Sequence, residues 1–149
     1  MTRILALTAL LLSMAGAAAV QTDRVQTTPA GLWRTFDDHT GRERGLVRII
    51  DTGGTLTGMI AGTIDPTEGA RSCDRCTDDR KGRPILGLTI ITGMHRDDAG
   101  WSGGHILDPE TGSVYRCSMK LRDGGQTLVL RGYLGISLFG RSQTWRRAS

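Results

Sequence analysis

The chain has 149 residues, a formal net charge of +4 and 38% hydrophobic residues, enough for one domain with its own core and too little for two ordinary ones. Its positive residues are mixed with acids, as in Asp78-Asp79-Arg80-Lys81 and His95-Arg96-Asp97-Asp98. That mixing argues against a nucleic-acid footprint and is compatible with at most a weak preference for anionic envelope surfaces.

At the N-terminus, Arg3 precedes an apolar and small-residue run from Ile4 to about Ala15, and Ala17 and Ala19 fit the small-x-small pattern of signal cleavage. This predicts a secretory signal over residues 1–19, a mature chain that begins near Val20, and a periplasmic or secreted location. The run falls short of the roughly 20 residues that a membrane span needs, and no second stretch approaches that length, so no transmembrane segment is expected. Loss of residues 1–19 removes Arg3 and no acid, which takes the charge from +4 to +3. Residues 20–30 show no periodicity and read as a flexible N-terminal arm.

From Gly31 onward, short β-rich runs alternate with turn chemistry. The runs are Gly31–Phe36, Arg44–Ile50, Thr55–Ile64, Ile85–Thr92, Trp101–Leu107, Ser113–Leu121, Gln126–Leu134 and Arg141–Arg147. The turns between them are rich in Gly and Asp, as in "DDHTG", "DTGG", "GMHRDDAG", "DPETG" and "RDGG". About eight strands with mostly tight links predict an all-β fold, an antiparallel up-and-down barrel occupying residues 31–147 as a single domain. Tyr115, Cys117, Met119 and Leu121 share one strand face, and Leu56, Gly58, Ile60, Gly62 and Ile64 share another. Glycine on an inward face serves either of two ends: sharp strand curvature, or a small cavity.

Cys73 and Cys76 lie in the long link "RSCDRCTDDRKGRP", with Cys117 far away on a strand. A thioredoxin-type pair needs a helix N-terminus behind the first cysteine, and "TDDRKGRP" is not helical. Zinc needs about four ligands, whereas His39, His95 and His105 stand in separate segments. The main reading is a local disulfide from Cys73 to Cys76, with Cys117 a buried free thiol; a bridge from either cysteine to Cys117 is the other pairing. Asp37-Asp38-His39, Asp97-Asp98 and Asp108-Pro109-Glu110 resemble acid–base clusters but are equally good turn chemistry. No catalytic or phosphate-binding motif is present, and Ser137 and Ser142 have no visible base partner. No catalytic residue, metal site or cofactor is expected.

"GLWRTFDDHTG", the "CDRC" loop followed by "GRPILGLTII", "GGHILDPETGSVYRC" and "RGYLGISLFGRSQTWRR" occur in this order. Together they resemble the secreted bacterial family known as domain of unknown function 2147, over about Gly31 to Arg147. That resemblance implies a lipocalin-like, or calycin-like, barrel and brings no established activity with it. Lipocalin-like barrels often open on Gly-x-Trp, with an arginine from the end of the barrel over the tryptophan. Gly31, Trp33 and Arg146 take those roles here, with a cation–π contact worth roughly 0.5–2 kcal/mol closing the floor.

The leading functional expectation is an exported barrel that binds a small, largely apolar molecule, with Trp33, Tyr115, Met119 and Trp145 as the lining. The same four residues would equally describe a filled core in a structural or interaction module of the cell envelope with a protein partner. A thiol or hydrolytic enzyme ranks third. Trp101, just after a turn, is expected to be partly exposed, so that its loss costs less than that of Trp33.

Overall fold

The computed structural model describes residues 26–136 and 140–149, so the predicted signal and Ser137 lie outside the described residues. Eight strands form a closed antiparallel barrel in sequence order. They are β1 (Gly31–Phe36), β2 (Glu43–Thr52), β3 (Thr55–Thr63), β4 (Thr89–Asp97), β5 (Gly100–Asp108), β6 (Ser113–Arg122), β7 (Thr127–Tyr133) and β8 (Arg141–Arg147). Closure comes from β8 pairing back onto β1, with Trp33 opposite Arg147 and Arg34 opposite Arg146. This seam is short: those two pairs are the register between β1 and β8 among the described residues.

Alternation explains which residues go inside. In β6 the inward set contains Cys117 and Met119, both buried, between exposed Arg116 and Lys120. In β7 buried Leu128 and Leu130 alternate with Val129 and Arg131. Register then stacks these sets: Met119 lies opposite Leu130 and Leu128 opposite Trp145. The lower half of the barrel is filled by Trp33, Leu56, Met94, Met119 and Leu128, all essentially inaccessible.

Two features depart from the sequence reading. The strand expected over Ile85–Thr92 begins only at Thr89 and runs on to Asp97, through the segment expected to be a turn. Gly93 adopts φ +67° inside β4, a left-handed kink that bends the strand without ending it. Trp101 is also buried, at 8% exposure, because the β4–β5 turn shrinks and Trp101 pairs inward opposite Met119. Arg96 lies 5.1 Å from its ring centre.

The β3–β4 connection is the one long excursion. It opens with a short helix, α1 (Pro66–Ala70), capped by Asp65, whose carboxylate accepts from the Thr67 N–H at 2.8 Å. It then folds back through a bridge between Ser72 and Pro84 and rejoins the barrel where Ile60 N–H donates to Leu88 O at 3.0 Å. Within it, Leu88, Cys73 and Cys76 are buried.

Residues 26–30 of the N-terminal arm touch the barrel. Pro29 is fully buried, and Gln26 N–H donates to Gly124 O at 2.9 Å. They underlie the filled end of the barrel.

Candidate binding cavity

The upper half of the barrel is hollow. A cavity of about 470 Å³ opens at the end where the β1–β2, β3–β4, β5–β6 and β7–β8 connections meet. Its walls include Val47, Ile60, Ile106, Leu130 and Trp145, with Tyr115 beside them. Small residues make the room. Gly62 and Gly132 both line the cavity, and a side chain started at Gly132 would meet Ile106 and Tyr115 only at ordinary contact distance, 3.5 Å. Gly132 thus has room for a Cβ, whereas at Gly58, also on an inward face, a Cβ would lie 3.1 Å from Ile91.

The mouth is charged and internally paired. Arg44 bonds Glu110 across from β2 to the β5–β6 loop, and that hydrogen bond holds the Arg44 guanidinium above its ordinary pKa. Arg141 pairs with Asp38, and Arg71 with Glu68 of α1 at 3.0 Å. A polar chain descends from this rim into the cavity: Gln143 donates to Asp38 at 2.9 Å, and Trp145 Nε1 donates to Gln143 at 3.2 Å. The indole N–H is thus satisfied, which leaves Trp145 to offer its ring.

The predicted lining residues divide by depth. Tyr115 and Trp145 line the cavity, whereas Trp33 and Met119 lie below it in the packed floor. All four sit on inward faces, but parity sets only the side of the sheet and not the height along the barrel axis. The floor arginine also needs correction. Arg147, not Arg146, lies over Trp33, 4.3 Å from the ring centre. Trp145 and Arg147 share the inward parity of β8, which turns Arg146 out to solvent. Arg147 further donates to the backbone oxygens of Gly125, Ala30 and Thr28 at 2.8, 3.0 and 2.9 Å. Burial lowers its pKa. Gly31 packs against it: a Cβ there would lie 2.5 Å from the Arg147 guanidinium.

Cys73 and Cys76 form a disulfide, and Cys117 is a buried free thiol. Burial pushes the Cys117 thiol up to about 12, so it is protonated at neutral pH and a poor nucleophile. The acidic turns serve the backbone: Asp37 accepts from the N–H groups of His39 and Thr40, and Asp97 from that of Ala99. Ser142 accepts from Arg131 at 3.0 Å. Glu68, a mouth residue of the excursion, has no counterpart in the sequence reading. Asp65-Pro66 followed by Glu68 is a helix-start signature that would have found α1.

The closed eight-stranded barrel with a hollow, apolar-walled upper half has a lipocalin-like fold. A solved structure from Helicobacter pylori, protein HP1028, reported to belong to the lipocalin family, matches with a TM-score of 0.71. The match covers 83% of this chain and 85% of that one at 16% sequence identity, a likeness of fold. The chain belongs to the family of uncharacterised proteins conserved in bacteria, DUF2147, whose profile matches residues 31–147. No curated protein matches the chain.

Proposed function

We propose that this protein is exported and that its barrel holds a small, largely apolar molecule in the upper cavity. The observation that carries this reading is the cavity itself: about 470 Å³, apolar below and polar at the mouth, within the roughly 300–1,000 Å³ range of small-molecule sites. A filled-core envelope module is less favoured, since the barrel axis is packed only in its lower half. A thiol enzyme is less favoured because Cys117 is buried and Cys73 and Cys76 are bonded to each other out of solvent. Export is supported by the pattern of residues 1–19 and by the disulfide, which suits an oxidising compartment.

Native mass spectrometry of the protein taken from the periplasm tests the reading. A retained small molecule, released on unfolding, is the expected result. Protein recovered only from the cytoplasm would contradict export, and an empty barrel that takes up no apolar compound would contradict the ligand.

A further inference from the structure

The barrel wall is electrostatically one-sided. β6, β7, β8 and β1 are consecutive around the barrel, and their sequences SVYRCSMKLR, TLVLRGY, RSQTWRR and GLWRTF contain no aspartate or glutamate. Three of their cations are engaged: Arg147 against Trp33, Arg141 with Asp38 at the mouth, and Arg34 with Glu43 of β2. Arg34, Arg116, Lys120, Arg122 and Arg146 are exposed, opposite in parity to the buried residues of their strands. Arg131 stands among them, bonded to Ser142. The other half of the wall, β2 to β5, intersperses Glu43, Asp51, Asp97 and Asp108 with its cations.

Register concentrates the charge. Arg122 lies opposite Thr127, Thr127 opposite Arg146, and Arg146 opposite Arg34, which makes one row across four strands. Like charges facing each other directly across a strand pair are unfavourable for the fold alone. The nearest relief is at the margin, where Glu43 lies 3.3 Å from Arg34. Between the cations stand aliphatic side chains, Val114 at 38% exposure and Val129 partly covered.

We propose that this acid-free wall docks the barrel on an anionic lipid surface. Negative headgroups would offset the Arg34–Arg146 repulsion and attract the other cations, and the aliphatic residues between them can enter the headgroup layer. The wall is poorly suited to nucleic acid. It is convex, and Tyr133, its candidate ring for base stacking, already lies under Arg116 at 6.0 Å.

Vesicle co-sedimentation of the mature chain, from Val20 on, tests the proposal, with phosphatidylcholine vesicles that contain or lack phosphatidylglycerol. Binding should require phosphatidylglycerol and fall as salt rises. The double variant Lys120→Glu/Arg146→Glu should lose about tenfold or more in partitioning. Arg75→Glu/Lys81→Glu, with the same charge change on the exposed β3–β4 excursion, should retain wild-type binding. Unaltered circular dichroism checks that both variants are folded. Equal loss in the two double variants, equal binding to both vesicle types, or tighter binding to a DNA duplex at the same salt would each overturn it.

Discussion

The Arg147 guanidinium lies 4.3 Å from the centre of the Trp33 ring and donates to three backbone carbonyls on the N-terminal segment and the β6–β7 turn. The Trp33 indole itself donates to Pro29 O at 2.8 Å. One side chain thereby ties the first strand, the last strand, the N-terminal segment and the β6–β7 turn into a closed floor.

Arg147→Ala should therefore destabilise the barrel by about 2–4 kcal/mol, the sum of a buried cation–π contact and charge-assisted hydrogen bonds. Arg146→Ala, one residue away and exposed, should stay within about 0.5 kcal/mol of wild type. Urea titration of the two variants checks the difference, and equal losses would mean that Arg147 does not hold the floor.

The disulfide excursion depends on a close backbone approach as much as on its sulfurs. Gly112 adopts φ +75°, and a Cβ there would lie 1.9 Å from Arg75 O, beside Cys76 N. Gly112→Ala must push the Cys73–Cys76 loop away from the β5–β6 turn. Cys73→Ala/Cys76→Ala should cost about 2 kcal/mol or less, because the enclosed loop is tiny. Hydrogen exchange should show faster exchange over residues 71–84 in both variants, with β2 and β3 still protected.

Acid acts on the same excursion. The Arg80 side chain, then the Arg80 backbone N–H, hydrogen-bonds Asp78 and holds its carboxyl down at about 2. A depressed folded-state pKa means that this contribution to stability is complete above about pH 4, the unfolded value, and is lost as pH falls from there through about 2. Carboxyl chemical shifts followed by NMR should place the Asp78 midpoint near 2, and Arg80→Ala should return it towards 4.

The strands were the most legible part of this chain, because alternation and turn chemistry are local. β1 and β8 begin and end where the sequence pattern places them, at Gly31–Phe36 and Arg141–Arg147. The Arg146 assignment failed although the information was present: with Trp145 inward, alternation turns Arg147 inward and Arg146 out. β4 was displaced because Gly93 reads as a turn residue and acts as a bend. Trp33 and Met119 were placed with Tyr115 and Trp145 because all four face inward. Their separation into floor and cavity depends on strand stagger around the closed barrel, which no single strand encodes. The packing of the β3–β4 excursion was not legible either, since it has no hydrophobic periodicity and is held by a disulfide, a short helix and contacts to the β5–β6 turn.

The central claim is that the upper barrel is a binding cavity and not a lapse in packing, and filling it tests that most directly. Gly132 lines the cavity, and a Cβ there would meet Ile106 and Tyr115 at ordinary contact distance, so Gly132→Leu should send the rest of its side chain into the space. Replacing glycine within a strand also restricts the unfolded chain, so the urea midpoint should hold or rise. Titration with an uncharged naphthylamine fluorophore should show blue-shifted, saturable binding to the wild type. Gly132→Leu should weaken that binding by about tenfold or more, a change of about 1.4 kcal/mol. Equal affinity in a folded Gly132→Leu protein would place the probe elsewhere and contradict the account.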